Sequence, residues 1–336
     1  MWMIIPIVCL AIIHISGNHV AVIPDILGLL EDEEFMVSIF TSILLGVLIT
    51  AVIAWIAIMT GEDLVAATKK RCGVFGKKIV AITLLAASIP ASSLTGCYYA
   101  GGMLQLFVDL PYWVAALLCL ILFSSLGMGY NRELLTLSNY IGLLLLPLMM
   151  LIFFQYDVQW STVSFDWINI NWSLVFVLTA YNIGGMWLAL LMESTTYLLK
   201  KGNWAMVILV LAKVVEGIIT LCIAYFVVSV GAQGPLALTS IASHLGGVAI
   251  IFNIVLFCTF MNTMAPAMLL NARQMSILTG LTFWPALFLV MILIYIISFI
   301  QFSLILSFMS YIGFLMILFI IYTAYFLHKY GMNQKY

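Results

Sequence analysis

The chain is 336 residues long, 65% hydrophobic and 7% charged, with a formal net charge of -1 at pH 7. A mean hydropathy of +1.22 excludes every soluble class and leaves an all-α polytopic membrane protein; its basic residues are dispersed among loops, which excludes nucleic acid as a partner. Six cysteines without a C-x-x-C pair indicate neither a disulfide framework nor a zinc site.

Apolar runs of about twenty residues predict ten transmembrane helices in one domain over 1–336: 4–28, 35–58, 79–108, 112–128, 136–154, 172–198, 204–230, 244–271, 281–300 and 304–327. The first basic residue is Lys69, so no cleaved signal is expected and the first span should be retained. That span is interrupted, because "IHISGNHVAVIPD" places Ser16, Gly17, Asn18 and His19 halfway along it. Unpaired polar groups are costly in hydrocarbon, so a broken helix there must line a cavity or face protein. His19, at mid-depth, is either a neutral hydrogen-bonded imidazole or a titrating group that couples proton movement.

The connections alternate in charge along the chain. Lys69, Lys70, Arg71, Lys77 and Lys78 fall between spans 2 and 3, and Arg132 between 4 and 5. Lys200 and Lys201 follow span 6, Arg273 follows span 8, and Lys329 and Lys335 lie in the tail. The odd connections carry Glu31, Asp32, Glu33, Glu34, Asp109, Asp157 and Asp166 instead, which predicts cytoplasmic termini. Trp160, Trp167 and Trp172 fit an aromatic belt at the outer interface. In span 6, "LTAYNIGGMWLALLMES" carries Tyr181, Asn182, Gly184 and Gly185 near its middle, read either as a second break or as close-packing glycines. Glu193, near the cytoplasmic end of that span, is an inner-gate acid or a helix-end carboxylate reaching the interface. Span 7 holds the one basic residue outside the pattern, Lys213, with Glu216 three residues later on the same face. A self-satisfying ion pair that pins the span and an ion-coupling site are both open readings.

Five spans in each half, repeat one about 1–155 and repeat two about 170–328, give a 5+5 inverted repeat with discontinuous helices 1 and 6. One offset of 164 residues carries Asn18 onto Asn182 and Tyr98 of "TGCYYAGG" onto Asn262 of "CTFMNTMAPA". Half-helix ends meeting at mid-membrane would present N–H groups to a carboxylate and carbonyls to a cation or amine.

With "SGNHVAV", "YNIGGMW", the 5+5 layout and the segment "GEDLVAATKKRCGVFGKKI", the chain resembles the amino acid-polyamine-organocation superfamily with the LeuT fold over nearly its whole length. The compact size and "AYNIGG" are similar to small prokaryotic members, including spore-germination permease-like subunits. The resemblance implies a substrate site between spans 1, 3, 6 and 8: Ser16, Gly17 and Asn18; Tyr98 or Tyr99 as an aromatic gate; Tyr181, Asn182 and Gly184; with Asn262 added by the repeat offset. A sodium site of the superfamily type would use Thr259 and Thr263, but Asn262 stands where an adjacent hydroxyl is expected. "SGN" and "YN" also echo the metal-transporting Nramp pattern, without its Asp; His14, His19 and Met186 offer only a softer, dispersed ligand set.

The expected function is secondary active transport of a small polar organic solute, an amino acid or amine, coupled to H+ or Na+ in a bacterial plasma membrane. A ligand-sensing permease-like receptor subunit and an Nramp-like metal ion transporter are the alternatives. No nucleophile-base constellation or cofactor motif points to an enzyme, no cofactor or resident metal is expected, and the layout leaves room for protein partners.

Overall fold

The computed structural model describes residues 19–28, 32–60, 64–130, 132–155, 169–181 and 203–331. These residues are helical, with no strand among them. Among the described residues six helical segments are long and apolar enough to cross a membrane: Glu34–Ile56, Cys72–Val108, Glu133–Gln155, Leu209–Val230, Gly247–Thr279 and Phe302–Phe326. Two further apolar helices, Tyr112–Gly127 and Phe283–Ile297, are shorter, about 24 and 22 Å at 1.5 Å per residue. Large apolar side chains such as Phe154, Phe288 and Leu48 point outward from these helices. Water would not tolerate so much exposed hydrocarbon, and the protein is an integral membrane protein whose outer faces contact lipid.

Helix α1 covers 19–27 and is buried along its length. It leads to α2 (Asp32–Thr60) and then α3 (Leu64–Ser93). The sequence reading left residues 59–78 as a connection, yet most of it is helical. A positive φ of 65° at Gly73, open to glycine at no steric cost, lets the basic segment turn into the apolar span without breaking into a loop. Pro90 lies within α3, and the chain then passes through a π-helical stretch, Leu94–Tyr99, into α4 (Ala100–Val108). Pro90 has no N–H for the helical ladder, and π turns of this kind mark functional sites frequently enough to be noted.

After α5 (Tyr112–Gly127), the predicted span 136–154 is divided into α6 (Arg132–Gly142) and α7 (Leu145–Gln155). Leu143 and Leu144 instead donate to the carbonyls three residues back, at 3.2 and 2.9 Å. The cause is Pro147: it cannot donate to the Leu143 carbonyl, while in the first turn of a new helix its missing N–H costs nothing. α8 (Trp172–Thr179) begins at Asn171, whose side chain accepts from Leu174 N–H at 3.1 Å and whose own N–H donates to Ser38 Oγ of α2 at 2.9 Å.

α9 (Asn203–Val230) packs closely on α2, where Gly217 faces Ile43. A short helix, α10 (Ala237–Ser243), precedes α11 (Gly247–Thr279), followed by α12 (Phe283–Ile297) and α13 (Phe302–Gly331). At 33 residues α11 is about 50 Å long, beyond the roughly 30 Å hydrocarbon layer. It contains Arg273, which the sequence reading placed in a connection, and ends at Gly280 in the left-handed region, where Gly280 N–H donates to Ser276 C=O. α11 is the centre of the fold and packs on α3, α5, α6 and α12, while α13 packs on α8, α3 and α2. Gly127 of α5 lets that helix meet the Ala265 carbonyl of α11 at backbone distance.

Candidate functional site

Two buried polar clusters flank α1. The first forms at its C-terminal end. The π-helical stretch brings Thr95 and Tyr99, four residues apart, onto the inner face of the third predicted span. Tyr99 is fully buried and its hydroxyl donates to Asp25 Oδ2 of α1 at 3.1 Å. The Thr95 hydroxyl and the Tyr181 phenol, just beyond α8, share a hydrogen bond of 2.7 Å. Tyr98 meets Tyr99 edge-on with ring centroids 5.0 Å apart and stacks on Phe302 at 5.6 Å. Three predicted spans, 1, 3 and 6, thus contribute one carboxylate, three phenols and a threonine to one locality. Among the described residues no basic side chain pairs with Asp25, which is 8% exposed. A buried carboxylate without a fixed cation, walled by aromatic rings, has the chemistry to hold a positively charged group.

The chain beyond α9 closes over this end of α1. Gly234 N–H donates to the Pro24 carbonyl at 3.0 Å, and Gly231 and Gly234 adopt φ of 65° and 94° to make the turn.

The second cluster lies at the N-terminal end of α1. His19 Nδ1 contacts Thr220 Oγ1 at 2.5 Å, and its Nε2 lies 3.5 Å from Glu216 Oε1. The other carboxylate oxygen of Glu216 meets Lys213 Nζ at 2.6 Å. His19, Lys213 and Glu216 are 1%, 1% and 2% exposed, so the three charge-bearing groups form a dry unit between α1 and α9. Gly46 of α2 makes room for it, since a Cβ there would sit 3.1 Å from Lys213 Cε.

Other residues singled out in the sequence occupy different surroundings. Asn262 is fully buried and both ends of its amide are engaged by α6: Ser138 Oγ donates to Oδ1 at 2.5 Å, and Nδ2 donates to the Ser138 carbonyl at 3.1 Å. Its observed role is to join two helices. Thr259 donates to the Leu256 carbonyl of its own helix at 2.6 Å, so its hydrogen is directed within α11; Thr263 is buried nearby. Asn271, two turns on, bridges α11 to Ser88 and Ser92 of α3. Ser16, Gly17, Asn18, His14, Asn182, Gly184, Gly185, Met186 and Glu193 lie outside the described residues.

Asp25, Thr95 and Thr220 are site residues that sequence reasoning missed. Asp25 had a legible signal, an acid inside an apolar run. Thr220 stands one turn after Glu216, a spacing that places it on the same face. Thr95 had none, because its direction depends on the π turn. No group of three or more His, Cys, Asp or Glu side chains suited to a metal ion occurs among the described residues. No protein-family model matches the chain, and no curated protein is similar to it at a significant level.

Proposed function

We propose that the chain is a secondary transporter of a small amine-bearing solute, an amine or amino acid, with ten spans, a LeuT-like inverted repeat and alternating access around a mid-membrane site. The observation that carries this reading is Asp25, a buried carboxylate whose described neighbours are the Tyr99 hydroxyl and aromatic rings. An ammonium group entering there would gain an ion pair and contact with ring faces in a water-poor site. The cluster is drawn from predicted spans 1, 3 and 6, three of the four spans (1, 3, 6 and 8) that the resemblance assigns to the substrate. Asn18 and Asn182 lie on the same predicted spans, seven residues before Asp25 and one after Tyr181. A metal cargo fits less well, since one carboxylate and phenol oxygens fall short of the six or more oxygens that a hard divalent cation takes, and the described members of the cluster include no soft ligand. With the basic connections cytoplasmic, α1 is the outer half of the first span, and Asp25 faces substrate arriving from outside.

The test is direct binding of a panel of amines and amino acids to the purified protein, wild type against Asp25→Asn. Binding of an amine-bearing solute that is lost in the variant supports the site. Unchanged binding in the variant refutes it. Binding by a protein that moves no solute across a membrane would favour a sensing subunit over a transporter.

A further inference from the structure

The second cluster defines a proton-binding site when its hydrogens are followed. A threonine hydroxyl carries one hydrogen and two lone pairs. Thr220 gives its hydrogen to the Glu216 carbonyl one turn back, at 2.9 Å. Where that hydrogen goes to the carbonyl, the 2.5 Å contact with His19 is made by Nδ1–H donating to a hydroxyl lone pair, the imidazole tautomer that the geometry favours. Nε2 is then the nitrogen that faces Glu216 Oε1. Without a hydrogen, two acceptors would stand opposed in a site at most 2% exposed. With one added proton, the same pair becomes a charge-assisted contact.

The surroundings hold this arrangement in place. Lys213 occupies the other Glu216 oxygen at 2.6 Å, so the carboxylate keeps one oxygen for a fixed cation and offers the second to His19. α2 brings Gly46 up to Lys213, and from Phe35 to Thr60 it carries no titratable side chain. The acids at the start of α2, of which Glu34 is the nearest, lie about two and a half turns or more from Ile43 along that helix, about 13 Å or more. On α1 itself the nearest titratable group is Asp25, six residues on and about 9 Å along the axis.

We infer that His19 Nε2 and Glu216 Oε1 together bind one exchangeable proton, beside the Lys213 ammonium on the other Glu216 oxygen, and that this proton is the coupling ion. The second half of the inference rests on the transporter reading above. Loading takes a proton from hydronium and forms one N–H bond; release breaks that bond and returns the proton to water, and no electron moves. Because His19 and Asp25 share one short helix, a tilt of α1 that exposes one cluster would also shift the other, which gives a physical path for linkage.

The experiment uses the full chain, labelled with 15N-histidine and reconstituted into lipid bilayers, with His19→Gln to assign the signal. At pH 6 both His19 nitrogens should bear hydrogen in the wild type. In Glu216→Gln, Nε2 should be bare while Nδ1 stays protonated, and Lys213→Met with Glu216→Gln repeats that test without stripping Lys213 of its 2.6 Å partner. A neutral Nε2–H tautomer in the wild type, or identical protonation in wild type and both variants, overturns the inference. In parallel, proteoliposomes are offered a mixture of the twenty amino acids and simple amines under a proton gradient without sodium. Accumulation in the wild type, replaced by exchange without accumulation in His19→Gln, supports proton coupling. Accumulation that requires sodium overturns it. If the wild type moves none of these probes under any gradient, the transporter reading and the coupling role fail together, while the histidine spectra still decide the proton site.

Discussion

Removing the members of the His19–Glu216–Lys213 unit one at a time should have unequal effects. Glu216 is the only anion in the unit, so Glu216→Gln leaves the Lys213 ammonium buried at 1% exposure without its 2.6 Å partner. Breaking a buried pair in this way costs about 3–5 kcal/mol. Lys213→Met differs, because Glu216 keeps His19 at 3.5 Å and that imidazole can carry the balancing charge. The loss is then closer to one charge-assisted bond, about 1.5–3 kcal/mol. The double variant replaces two charges by groups of similar volume and should recover most of the Glu216→Gln loss. Unfolding of the purified protein in one detergent, followed by denaturant titration across the four members of the cycle, measures these differences. If Lys213→Met were as damaging as Glu216→Gln, the unit would be an isolated ion pair with His19 a bystander; if the two losses simply added, Lys213 and Glu216 would not be coupled at all.

Three other predictions follow from specific contacts. Asn262→Ala should destabilise the protein by about 1–3 kcal/mol by removing both hydrogen bonds that join α6 and α11, with solute affinity unchanged in equilibrium binding. Gly217→Ala would drive a methyl into Ile43 Cγ2 of α2 and should cost about 1–3 kcal/mol in the same unfolding assay, whereas Gly102→Ala, with open space around it, should be neutral to packing. Cys72 is exposed beside the basic segment, so a membrane-impermeant maleimide should label it from the cytoplasmic side alone; labelling of Cys72 in intact cells would invert the topology.

The all-α membrane class was legible in the sequence because it follows from apolar run length, and the six long helices overlap predicted spans. What periodicity could not supply were local backbone events. Gly73 converts an expected connection into a kinked helix, Pro147 divides an expected span, and α11 runs eight residues past its predicted end. Each depends on whether neighbouring helices satisfy or tolerate an irregular backbone, which hydropathy does not register. The polar residues tell a similar story. Lys213 and Glu216 stood out on depth and spacing alone, and their contact follows from helix geometry. The addition of His19 to them needed the third dimension, since it lies about 200 residues away in sequence on another helix. Asn262 looked available for a ligand on residue type, but the hydroxyl that occupies it, Ser138, is 124 positions distant.

The central claim, a solute site at Asp25 in a transporter, is tested most directly by uptake into proteoliposomes of the same amine and amino acid panel. Wild type, Asp25→Asn and Tyr99→Phe are compared at matched reconstitution. The account predicts saturable uptake of at least one amine-bearing solute by the wild type. For Asp25→Asn it predicts a loss of about 10- to 150-fold, the equivalent of one charge-assisted bond, with a smaller loss for Tyr99→Phe. Uptake by Asp25→Asn at the wild-type rate, or preference for a solute bearing no positive charge, would contradict it.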